Sequence, residues 1–352
     1  MSLDDVVPSF VARSYRWGAV RRQAAYYVMA QIHGGVPIDE VALRFARLGP
    51  FTCDRPYTRV GTMLDTLRAR DIMAAMIAEV PAGLLGTMDR LGLEPMSDPA
   101  CYGTLIGLYR SQTPADRSRA RVLGQIAGKL KGGQIDAVSI LDPVLLHPHV
   151  LARTTSGTEA RKLNLALSYV RSRCSTATDV ALRQSIERIP TDLTMKKWLG
   201  RWAARFDQLP DSAPDLSADP TLKLISTGAA LVDAGRRYKN CLASKVGEVV
   251  TGRYAFVEYR PSDPDATGVL AELRYTSRGY VLDGLYAHSN GIVRKDVATT
   301  LRIKLARCGV AIRAHAPGQV DKLAAAASYL GVWGWRHPDI ETWDEIEEEV
   351  DP

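Results

Sequence analysis

Residues 254–290, YAFVEYRPSDPDATGVLAELRYTSRGYVLDGLYAHSN, decide the fold. Tyr254 to Tyr259 is rich in strand formers, and turn-forming residues interrupt the run at Pro261-Ser262-Asp263-Pro264-Asp265 and again at Ser277-Arg278-Gly279. Three strands follow, Tyr254–Tyr259, Gly268–Tyr275 and Tyr280 to about Ala287, and connections this short predict an antiparallel meander. Upstream, Leu224 to Ala234 reads as a helix stopped by Gly235, and Tyr238 to Val250 as a second helix stopped by Gly252. Downstream, Asp296 to Arg307 is helical and Gly309-Val310-Ala311-Ile312 suits an edge strand. Residues 222–315 therefore form a compact α+β module. It opens on Asn240-Cys241 and closes its sheet on His288-Ser289-Asn290.

Residues 1–206 have another period. Ala19, Val20, Ala24, Tyr27, Val28 and Ile32 recur at helical spacing until Gly34-Gly35, and Met63, Leu64, Leu67, Ile72, Met73, Met76 and Ile77 continue the pattern. Thr113-Pro114 is a cap followed by a first-turn proline, opening a basic helix expected to reach Lys131 and to end at Gly132-Gly133. Further helices are expected over 158–173, 178–188 and 194–206. Residues 207–221 begin DQLPDSAPDLSADP, whose prolines and aspartates suit a linker. A last helix, Gln319 to Leu330, and an acidic tail occupy 316–352. The expected class is α+β: an irregular N-terminal α-helical array, then helices packed on a small antiparallel sheet.

The chain has 352 residues and a net charge of +6, unevenly spread. Residues 101–206 hold 17 basic against 7 acidic side chains, whereas the last fifteen residues hold eight acids and no base. A basic middle suits a nucleic-acid partner, and solvated helix faces are the plainer reading. No run of about 18 apolar residues suggests a spanning helix, and the N-terminus has two early acids and no apolar core of a signal peptide. Cys53, Cys101, Cys174, Cys241 and Cys308 are scattered, with no zinc spacing, as expected of reduced thiols in a cytoplasmic protein. No phosphate-binding loop, nucleophile elbow, HExxH or dinucleotide fingerprint is present, so neither a metal nor a cofactor is expected.

Two sets of residues bear on chemistry. Cys241 follows Arg236, Arg237 and Lys239 at the start of an expected helix, where dipole and cations favour a nucleophilic thiolate. With His288 as base and Asn290 or Glu272 as orienting group it would form a Cys/His/Asn-type site. The plainer reading makes Cys241 a small core residue and His288 a surface or capping residue. Glu258 and Glu272 on neighbouring strands are expected as exposed alternating residues, and His147-Pro148-His149 is a weak metal pair. The second set is basic: Arg117, Arg119, Arg121, Lys129, Lys131, Arg161, Lys162, Arg171, Arg173, Lys196, Lys197 and Arg201, together with Arg205. Tyr169, Trp198 and Trp202 lie among them, a combination suited to a phosphate backbone without base reading.

In order and motif, residues 222–315 resemble the C-terminal module of PcfJ-like proteins of conjugative plasmids, phages and other mobile elements. The resemblance rests on a helix ending in Ala234-Gly235, an x-Cys dipeptide at Asn240-Cys241, Gly252 before a strand ending in Arg260, Glu272 on the next strand, and Asn290. Asn240 stands where the family has histidine, and Gly284 and Ala287 where it has glutamine and glycine, which thins the polar set. The resemblance implies an association with DNA transfer or mobile elements. The expected function is an accessory protein acting near DNA or RNA through the basic helices. The alternatives are a thiol-dependent hydrolase or transferase using Cys241, and an adaptor docking a protein partner through its acidic tail.

Overall fold

The computed structural model describes residues 10–48, 55–261, 268–277, 279–308 and Leu330. The chain divides into two compact units, 1–161 and 162–352. The division falls inside the helix Gly157–Arg173, not at the 207–221 segment.

Unit 1 is helical throughout its described residues: α1 Phe10–Ser14, α2 Ala19–His33, α3 Ile38–Ala46, α4 Pro56–Thr66, α5 Ala69–Ile77, α6 Leu84–Arg90, α7 Ala100–Arg110, α8 Pro114–Gln125, α9 Gly132–Ile140, α10 Pro148–Leu151 and the first turn of α11, Gly157–Arg173. Met63, Leu64, Ile72 and Met73, the residues that set the helical period, are fully buried, beside Phe45, Tyr102 and Leu105. The Thr113 hydroxyl caps α8 by accepting from Asp116 N. That helix stops at Gln125, six residues short of expectation. Gly128 turns the backbone left-handed, Ile126 and Leu130 tuck into the core, and Leu130 N bonds Arg90 O at 2.8 Å. The Gly132-Gly133 pair starts the next helix instead of ending this one. A Cβ on Gly133 would sit 2.1 Å from Thr155 O, so only glycine fits.

Unit 2 continues with α12 Asp179–Glu187 and α13 Met195–Ala203, then β1 Leu222–Leu224, α14 Gly228–Arg237, α15 Val246–Val250, β2 Tyr254–Tyr259, β3 Val269–Thr276, β4 Gly279–Tyr286 and α16 Lys295–Arg307. The sheet is antiparallel in the order β1-β2-β3-β4, the expected meander plus a leading strand too short to show a period. Phe256 faces Glu272 and Glu258 faces Leu270, so these four share one face. Val257, Ala271 and Leu273 lie on the other face, in a core with Leu301 and Leu305 of α16. A bulge between Glu272 and Leu273 leaves Asp283 as the extra residue of β4.

The segment read as a linker is packed against unit 2. Asp207 N and Gln208 N bond Arg173 O, Leu216 joins the sheet core, and Asp219 accepts from Lys304 Nζ at 2.6 Å. Its prolines and aspartates make local turns, as at Asp219, whose carboxylate also accepts from Thr221 N. Among the described residues no helix is long and apolar enough to cross a membrane. Cys53, the expected strand 309–312, residues 319–329 of the expected last helix and the acidic tail lie outside the described residues.

Candidate functional site

The helix expected to end at Gly235 runs on to Arg237, with Gly235 buried inside it. A Cβ there would come within 3.1 Å of Ala243 N, so glycine lets the next turn close onto the helix. Lys239 is left-handed (φ 47°), and the Asn240 side chain accepts from Leu242 N at 3.1 Å. Cys241 then opens a single 3-10 turn, Cys241–Ser244, and is exposed. The expected helix Tyr238–Val250 is thus broken in two, and no long helix dipole points at the thiol.

The far end of the sheet meets this corner. His288–Asn290 forms a 3-10 turn in which Ser289 and Asn290 are both left-handed (φ 55° each). Ser289 N donates to Tyr238 O at 2.7 Å, which seats the turn against the chain three residues before Cys241. Three of the four left-handed non-glycine residues among those described, Lys239, Ser289 and Asn290, therefore converge here. Each such residue costs about 1 kcal/mol or more, and clustering of this kind is common where a surface has a task.

Glu258 and Glu272 are not exposed alternating residues. They are 3% and 9% exposed, because helices cover both faces of the sheet. Glu258 accepts from Arg237 Nη1 and Nη2, from Arg260 Nη2 at 2.8 Å and from Tyr238 Oη at 3.1 Å. Burial pushes its carboxyl upward, but the bonds from Arg237 and Arg260 outweigh this and hold it below the usual glutamate range. Burial, followed by the Glu258 charge, raises the Tyr238 phenol. With four donors committed to it, Glu258 is a fastener between α14 and β2.

Glu272 has a different setting. The Tyr286 ring lies over Gly284, where a Cβ would meet its hydroxyl at 2.5 Å, and Tyr286 Oη donates to Glu272 Oε2 at 2.8 Å. Lys245 Nζ is 3.9 Å from Glu272 Oε1 and from Glu248 Oε1. The bond to Glu272 pushes the Tyr286 phenol up to about 12, with burial and the nearby Asp283 and Cys241 adding to it. Cys241 is thus near enough to act electrostatically on the Tyr286 phenol, which is bonded to Glu272. His288 and Asn290 are exposed beside it, and His288 Nδ1 bonds Ser289 Oγ at 3.1 Å. Among the described residues neither hydrogen-bonds to Cys241 or Glu272. Tyr286 and Lys245 escaped the sequence reading. The available signal was Gly284-Leu285-Tyr286, a glycine and a tyrosine on one strand face.

Comparison with protein-family models, with curated proteins and with solved structures gave no match. The resemblance to the PcfJ-like module therefore rests on its motif residues alone. Other chemistry is scarce. Burial and the neighbouring Asp136 push the Cys101 thiol up to about 12, and burial takes Cys174 to about 11. His147 Nδ1 accepts from His149 N at the start of α10. Among the described residues no group of three or more His, Cys, Asp or Glu side chains is arranged to hold a metal.

The basic residues separate into two kinds. Arg119 donates to Val138 O and Asp116, Arg171 pairs with Asp179 at 2.7 Å, and Arg173 donates to Leu209 O. These three hold the fold together, and Lys196 is half-buried. Arg117, Arg121, Lys129, Lys131 and Arg161 in unit 1, and Lys162, Lys197, Arg201 and Arg205 in unit 2, are exposed. The tryptophans do not interleave with them at the surface. Trp198 and Trp202 are 3% and 6% exposed, and both indole N–H groups donate to Ser185 Oγ, at 2.7 and 2.9 Å. Tyr169 is half-buried.

Proposed function

We propose that the protein is a nucleic-acid-binding accessory factor that holds DNA or RNA by charge, in the mobile-element or phage setting suggested by its PcfJ-like module. The observation that carries this reading is the exposure of nine of the basic side chains of the middle region, where two of the seven acids, Asp116 and Asp179, are already occupied by arginines. Lysine and arginine on solvated helix faces contact phosphates without reading bases, so affinity should be independent of sequence and steeply dependent on salt. Fluorescence anisotropy with labelled oligonucleotides at 50 and 200 mM salt tests it. The expected result is binding at low salt that weakens at least tenfold at high salt; absent or salt-independent binding overturns it.

A second reading has its own observation. Cys241 is exposed, follows the left-handed Lys239, and acts electrostatically on the Tyr286 phenol that is bonded to Glu272. This arrangement supports a thiol-dependent hydrolase or transferase. Iodoacetamide labelling at neutral pH tests that reading. A Cys241 rate no faster than that of a cysteine in the unfolded chain rejects it.

A further inference from the structure

We infer that the nucleic-acid contact is made by one helix, α13, and that what it recognises is a chain of phosphates, blind to sugar and base. The inference rests on the nucleic-acid reading above and deepens it. Lys197 and Arg201 on α13 and Arg205 in the turn that follows it recur every fourth residue and are all exposed. From Lys197 to Arg201 is about 6 Å at 1.5 Å per residue, and Arg205 follows in the next turn. One cation to one phosphate gives about three contacts along a strand. Residues 195–206 contain no acid, and Asp207 just beyond them accepts from Ser175, whereas α8 carries Asp116 paired with Arg119.

The same helix explains why bases go unread. Stacking on bases needs an open aromatic face. Trp198 and Trp202 face inward, both N–H groups end on Ser185 Oγ, and the Arg205 guanidinium lies 4.5 Å from the Trp202 ring. That contact steadies Arg205, which remains exposed. The outer face of α13 has no amide or hydroxyl side chain, so the only groups there that could meet a base edge are the lysine and arginines assigned to phosphates, and guanine is the one base they could read. Single-stranded DNA, duplex DNA, RNA and inorganic polyphosphate share the remaining chemistry.

The test uses the full chain, oligo-dT, oligo-dA, an RNA of mixed sequence, and inorganic polyphosphate as competitor. Three phosphate contacts predict a single-strand slope of about −2 in log affinity against log salt, or roughly a 20-fold loss from 50 to 200 mM. The three oligonucleotides should bind within about threefold of one another, and polyphosphate should displace them at comparable phosphate concentration. Lys197→Gln with Arg201→Gln, which leaves Arg205 on Trp202, should cut the slope by about 1.4, at about 0.7 for each lost contact. Arg117→Gln with Arg121→Gln should leave it unchanged, and an unaltered circular-dichroism spectrum checks folding of both variants. A tenfold preference for one base, failure of polyphosphate to compete, or a loss that follows Arg117 and Arg121 overturns the inference and leaves the nucleic-acid reading standing. Binding of polyphosphate without any oligonucleotide overturns the nucleic-acid reading, and binding of neither overturns both.

Discussion

Glu258→Gln isolates the buried carboxylate between α14 and β2. Glutamine has nearly the same volume, so no cavity term enters and the change is one of charge and hydrogen bonding. The Tyr238 hydroxyl, buried and aimed at Glu258 Oε1, loses its anionic acceptor, at a cost of about 1 kcal/mol. The arginine bonds would be worth more in a dry interior, but the Arg237 and Arg260 side chains are 41% and 57% exposed and can return to water. Solvent screening reduces each to about 0.5–1 kcal/mol. The sum is about 2–3 kcal/mol, measurable by urea denaturation followed by circular dichroism, as a shift in midpoint at unchanged slope. The pH dependence has a definite sign. The folded carboxyl titrates below the ordinary value of 4.5, so its stabilisation is present above that value and is lost as pH falls through the folded value. The gap between wild type and variant should therefore narrow on acidification. A difference under 1 kcal/mol at pH 7, or a gap that widens in acid, would refute the assignment of Glu258 as a fastener.

Other expectations follow from single positions. Gly228→Ala would place a Cβ 1.9 Å from Ala204 O and should destabilise by about 2–3 kcal/mol in thermal unfolding. Gly200→Ala meets nothing within 4 Å in the middle of α13 and should stabilise by about 0.5–1 kcal/mol. The Lys304 and Thr221 bonds hold Asp219 down to about 2, so its contribution persists into acid and fades only as pH falls toward 2, and Asp219→Asn should remove that segment of the acid-unfolding curve. In a Cys53→Ser background, a thiol reagent should modify Cys241 first, with Cys101 and Cys174 protected until the chain unfolds, as mass spectrometry of the labelled peptides would read.

The meander was legible because Tyr254–Tyr259 and its two turns carry a local signal, and the three strands match expectation within a residue or two. The helix ends at Gly34 and Thr113 were legible for the same reason, since caps act within a few residues. The failures involve distant partners. Gly235 and Gly133 read as stops, yet each admits a neighbour, Ala243 N or Thr155 O, that no local pattern announces. Glu258 and Glu272 alternate as exposed residues would, but α14 and the turn after it lay Arg237, Tyr238 and Lys245 over them. Trp198 and Trp202 sit among lysines and arginines in sequence, while on the helix they occupy the opposite side. Of the expected Cys241 set, the structure gathers Cys241 and Glu272 around Tyr286 and leaves His288 bonded to its neighbour Ser289.

On α13 the inner face is fixed by two indoles that end on one serine hydroxyl, and the outer face takes no part in that arrangement. Substitutions at Lys197 and Arg201 touch neither of those hydrogen bonds, whereas a substitution at Ser185 removes the acceptor of both indoles. Charge on this helix can thus be removed, reversed or intensified while the scaffold stays constant, so its surface chemistry is separable from its fold.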